Sequence, residues 1–61
     1  MNIAIITLEN TVKITYSTFA SDVESEEYIF KELCKEQGIT IEGKITNIEI
    51  YDKNKKLLDK K

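Results

Sequence analysis

Two runs of β-branched and apolar residues lie only three residues apart at the start of the chain. Asn2 to Leu8 reads N-I-A-I-I-T-L and Val12 to Thr18 reads V-K-I-T-Y-S-T, with Glu9-Asn10-Thr11 between them. Such a pair predicts a β-hairpin, because residues that pack well on a pleated surface are interrupted by polar residues suited to a turn. Two registers are open. A two-residue turn at Glu9-Asn10 sets Thr7 opposite Val12, Ile5 opposite Ile14 and Ile3 opposite Tyr16. It leaves Ala4, Ile6 and Leu8 on the opposite face with Lys13 and Thr15. A three-residue loop instead gathers Ala4, Ile6, Leu8, Val12, Ile14 and Tyr16. In either register the first strand is apolar on both sides, which calls for a central position, a sheet covered on both faces, or a partner on the second face.

From Ser21 the pattern changes to helical. Ser21 and Glu24 are spaced as a capping box, Asp22 and Ser25 are alternative caps, and Gly38 is placed to end the helix in the left-handed conformation. At 100° per residue, Val23, Ile29, Phe30, Leu33 and Cys34 form an apolar arc wide enough to cover a sheet face. Glu26 falls inside that arc, so either the first turn overhangs the sheet edge or the ordered helix starts at Ser25.

Beyond Gly38, Ile39, Ile41 and Ile45 alternate with polar residues in one phase while Ile48 and Ile50 continue in the other. A bulge or turn at Glu42-Gly43 or Thr46-Asn47 is needed to break the phase. A polar turn at Asp52 to Lys55, with Asn54 able to go left-handed, then leads to a short return strand at Lys56 to Leu58. Asp59-Lys60-Lys61 reads as a frayed basic tail. The expected fold is α+β: a small antiparallel sheet of three or four strands with one helix on one face, in the order β-β-α-β or β-β-α-β-β. Residues 1–58 form its single domain.

Composition narrows the chemistry. Among 61 residues there is no His, Arg, Trp or Pro, and only one Cys. One Cys cannot form an intramolecular disulfide and is too few for a zinc site, so no metal or other cofactor is expected. Cys34 falls on the apolar face of the helix, where a thiol acts as a small hydrophobe. Without His, a nucleophile would need a Lys or carboxylate base, and no spacing supplies that pair, so no enzymatic activity is expected. Glu24, Glu26 and Glu27 fit a solvated helix start that complements the helix dipole. Gly38 and Gly43 stand apart with no helix start following, unlike a phosphate loop.

The net charge of −2 provides no field for nucleic acid or an anionic membrane. No apolar run is long enough for a membrane helix and Met1-Asn2-Ile3 lacks a basic signal start, so the cytoplasm is the expected compartment. Ile, Lys, Asn, Tyr and Phe, all with A/T-rich codons, fill 28 positions, whereas Gly, Ala, Arg and Pro fill four. That skew points to a low-GC bacterium, or to a phage or mobile element living in one.

Charge is segregated, with Ser21 to Gln37 at net −4 and Lys53 to Lys61 at net +4. On the helical wheel Tyr28 lies opposite the apolar arc, among Glu24, Glu32, Lys31 and Lys35, and an exposed aromatic ringed by charge has the composition of an interface anchor. The expected function is a non-enzymatic protein-binding module, a regulator or inhibitor that occludes a larger protein such as a host or defence protein. The alternative is a homo-oligomeric structural subunit. Self-association as a homodimer is expected through Ala4, Ile6 and Leu8, on the sheet face away from the helix.

Overall fold

A computed structural model describes the whole chain, Met1–Lys61. Strands β1 (Asn2–Leu8) and β2 (Val12–Thr18) precede helix α1 (Val23–Glu36), and β3 (Ile45–Tyr51) and β4 (Leu57–Lys60) follow it. The four strands form one antiparallel sheet in the order β2-β1-β3-β4, with α1 on one face, a small α+β fold. The two-sided apolar strand β1 takes an inner position between β2 and β3.

The hairpin adopts the three-residue register, with Ala4 opposite Tyr16, Ile6 opposite Ile14 and Leu8 opposite Val12. Glu9 and Asn10 are both left-handed, with φ of 51° and 60°, and the Thr11 N–H donates to the Leu8 carbonyl at 3.0 Å. Asn accepts that conformation readily, but Glu does not. Contacts from the approach to β3 hold both residues in place: the Glu9 N–H donates to the Lys44 carbonyl at 2.8 Å and the Asn10 N–H to Thr46 Oγ1 at 3.0 Å. Register is therefore decided by a segment more than thirty residues further along the chain.

This register overturns the expected self-association surface. Ala4 and Ile6 are 0% exposed beneath the helix, and Leu8 packs against the same core. Buried against α1, Ala4 and Ile6 cannot meet a second chain while the domain is folded, and half-buried Leu8 lies on the helix side of the sheet rather than on the face away from it.

Asp22, rather than Ser21, caps α1. Its Oδ2 accepts from the Ser25 N–H at 2.9 Å and its Oδ1 from the Ser25 hydroxyl at 3.0 Å. At the other end Gly38, with φ of +72°, permits a Schellman closure in which the Ile39 N–H donates to the Cys34 carbonyl and the Gly38 N–H to that of Lys35. The row facing the sheet is Glu26, Phe30 and Cys34, all buried. The apolar arc is thus rotated from its expected centre: Leu33 is left 42% exposed, while Glu26 enters the core instead of overhanging an edge.

Both candidate phase breaks between Ile41 and Ile48 are used. Ile41 to Lys44 form a turn with Gly43 at φ of +75°, closed by the Lys44 N–H to the Ile41 carbonyl at 2.9 Å. Thr46 is then a bulge, since Asn47 faces Thr7 but Ile45 faces Leu8. Ile48 and Ile50 reach the core, where Ile6, Phe30, Cys34, Ile41 and Ile48 cluster and the Tyr16 and Phe30 rings stack with centroids 6.0 Å apart.

In the last turn Lys55, not Asn54, is left-handed, at φ of 66°. Asp52 Oδ1 accepts from the N–H groups of Asn54 and Lys56, and this Asx bonding selects the geometry. The return strand covers Leu57–Lys60 rather than 56–58, and residues 59–61 are not frayed. The Lys61 N–H donates to the Ile48 carbonyl at 2.9 Å, and Asp59 Oδ2 accepts from the Val23 N–H at 2.8 Å, so the domain extends to Lys61.

Candidate protein-binding site

The outward side of α1 carries all five residues singled out for a partner. Tyr28 is 68% exposed, and Glu24, Lys31, Glu32 and Lys35 are exposed with it. They do not form one cluster. Glu24, Tyr28 and Lys31 border a shallow depression together with Val23, Glu27 and Lys61. Lys31 also borders a second one, with Lys35, Ile39 and Thr40, and Glu32 belongs to neither.

Two members of the first depression, Glu27 and Lys61, were not among the residues singled out for a partner. Glu27 Oε1 accepts from Lys61 Nζ at 2.9 Å and its Oε2 from Lys31 Nζ at 3.0 Å. Hydrogen bonds from Lys61 and then Lys31 hold the Glu27 carboxyl below the usual glutamate range. The Glu27 with Lys31 spacing is a legible helical pair, but Lys61 arrives only because β4 returns alongside α1. The acidic helix and the basic end of the chain thus meet within one molecule.

Two groups with chemical potential are locked inside. The Cys34 thiol is buried, and desolvation pushes its pKa up, away from the reactive thiolate. Glu26 is 0% exposed; its Oε2 accepts from the Tyr16 hydroxyl, while its Oε1 has no partner. Burial first, then the hydrogen bond and charge of Glu26, raise Tyr16 far above the usual phenol range and keep it protonated. Elsewhere no three His, Cys, Asp or Glu side chains converge as metal ligands would. No helix is long and apolar enough to cross a membrane.

The sheet face away from α1 is mixed. Ile3 is 37% exposed and Ile5 half-buried, but Lys13, Thr15, Ser17, Asn47 and Glu49 share the face, and the Tyr51 hydroxyl donates to Glu49 Oε2 at 3.1 Å. More apolar is the gap between α1 and the edge strand β2, lined by Leu8, Ile14, Tyr16, Leu33, Ile39 and Ile41. Around it Val12 is 54%, Ile39 55% and Leu33 42% exposed. Comparisons of the chain with protein-family models, with curated proteins and with solved structures find no match.

Proposed function

We propose that the chain is a non-enzymatic protein-binding module, a regulator or inhibitor that lays the outer face of α1 on a larger protein in the cytoplasm of a low-GC bacterium. The observation that carries this reading is Tyr28, 68% exposed on a 14-residue helix capped at both ends. A ring presented from a rigid element gives up little conformational freedom on binding, which is what an anchor residue requires. Glu24, Lys31, Glu32 and Lys35 surround it with both signs of charge, suited to setting orientation at the rim of a protein interface. The net −2 charge favours a protein target over nucleic acid. Phage or mobile-element origin, with a host or defence protein as the occluded target, accords with the codon skew.

The test is capture from a low-GC bacterial lysate on immobilised wild type and on Tyr28→Ala, after both have been shown to melt alike. A protein retained by wild type and lost with Tyr28→Ala supports the proposal. Identical captured sets on the two columns would overturn it.

A further inference from the structure

The sheet has two edges, and they differ in how they are protected. β4 is only four residues long, carries Asp59 and Lys60, and is interrupted by a register shift against β3. Each of these features discourages a further strand. β2 has less of that protection. It runs for seven residues, V-K-I-T-Y-S-T, without a bulge and with Lys13 as its one charge. Its outer row of backbone N–H and C=O groups has no strand beside it.

The helix flank above this edge carries apolar groups as well, Ile29 and Leu33, beside the exposed Glu36. Along α1, Glu27 and Lys31 lie to one side of the buried row, where Glu27 pairs with both Lys31 and Lys61. Ile29 and Leu33 lie to the other side, and Leu33 borders the gap over β2 with Ile14 and Tyr16. The ion pairs of α1 are therefore turned away from the open edge.

The geometry points to a second copy of this chain as the occupant, with β2 pairing antiparallel to β2 about a two-fold axis at Thr15. Thr15 is the midpoint of Val12–Thr18, so this register alone uses all seven residues of both strands. It sets Ile14 opposite Tyr16 of the second copy, Val12 opposite Thr18, Lys13 opposite Ser17 and Thr15 opposite Thr15. The only charge in the strand faces a hydroxyl, and β-branched residues face an aromatic ring or a threonine, which are favourable cross-strand pairs. Facing residues of an antiparallel pair point to the same side. Both helices therefore stand on one face, and the two apolar gaps join across the axis. Val12 also comes to lie against the strand end that carries Phe19, 87% exposed in the single chain. An eight-stranded sheet results, and the proposal is independent of any target met by the outer face of α1.

A charge swap at the axis tests the pairing. Thr15 is exposed, so Thr15→Lys and Thr15→Glu leave the fold intact by circular dichroism. Sedimentation equilibrium should give twice 7.1 kDa for wild type. Each variant alone places like charges opposite one another and should weaken the dimer by about tenfold or more. Mixing the two variants should restore a one-to-one dimer. Ile5→Lys, on the sheet face away from α1, should leave the wild-type dimer unchanged. A wild-type monomer at high micromolar concentration would overturn the proposal, even if it bound a synthetic Val12–Thr18 peptide. So would a dimer lost in Ile5→Lys but kept in both Thr15 variants, or a mixture no tighter than its components.

Discussion

Replacing Tyr16 by Phe deletes one oxygen, and that oxygen is the sole partner of a carboxyl group with 0% of its surface exposed. Glu26 Oε1 already lacks a hydrogen bond, so the variant leaves both carboxyl oxygens buried and unpaired. Stranding a buried charged or strongly polar group costs more than the hydrogen bond itself, and about 2–4 kcal/mol is expected. At about 0.05–0.15 kcal/mol per residue the domain has only about 3–9 kcal/mol in total. Urea unfolding followed by far-UV circular dichroism reads the loss. With a slope near 1 kcal/mol per molar for so small a chain, the midpoint should fall by about 2–4 M. The reverse truncation should behave differently. Glu26→Leu removes the group that needs a partner, and the half-buried Tyr16 hydroxyl can turn to water. It should be neutral or stabilising, and Tyr16→Phe combined with Glu26→Leu should regain at least wild-type stability. A Tyr16→Phe cost under about 0.5 kcal/mol would refute the reasoning, because the carboxyl would then have another partner. A Glu26→Leu variant less stable than Tyr16→Phe would refute it too.

Tyr16 is raised by burial and Glu26, so its contribution is intact below the unfolded phenol value of about 10 and is lost as pH rises beyond it. Thermal midpoints should fall above that pH in wild type, and Tyr16→Phe should lack this component of the fall. Phe30→Ala should cost about 3–5 kcal/mol and unfold much of the population, whereas Leu33→Ala, at a position 42% exposed, should cost about 1 kcal/mol in chemical denaturation. Gly38→Ala meets open space but must hold φ of +72°, so it should lose about 1 kcal/mol, with Gly38→Asn losing less. Iodoacetamide should label Cys34 at least about tenfold faster in urea than in the native state, because burial raises the thiol pKa and blocks access.

The elements most legible in the sequence were those fixed by local chemistry. Gly38 ended the helix, the β-branched runs became strands, and the isoleucine phase change called for a break at Glu42-Gly43 or Thr46-Asn47, where the chain uses both. What escaped was set by distant contacts. The choice between hairpin registers depended on Lys44 and Thr46 holding the Glu9-Asn10 turn, and a one-residue slip transfers Ala4, Ile6 and Leu8 from one face to the other. A helical wheel cannot tell that Tyr16 supplies a partner for Glu26, so it placed the buried stripe toward Leu33. Tyr28 and its charged neighbours were legible as an exposed face, because the residues opposite a buried row are outward whatever the row packs on. Lys61 was not, since only the path of β4 brings it to Glu27.

The bond from Val23 to Asp59 makes the start of the helix depend on a residue 36 positions later. During synthesis residues 23–36 are added before residue 59, and α1 has Asp22 but not its second carboxylate until Asp59 has itself left the ribosome. β1 and β2 can pair early, yet β3, their neighbour in the sheet, is still to come. The hairpin gains its last strand partner once β3 has emerged, whereas the start of the helix gains its second acceptor only after Asp59 has. A nascent chain stalled before Asp59 has emerged therefore offers proteases a helix start held by Asp22 alone.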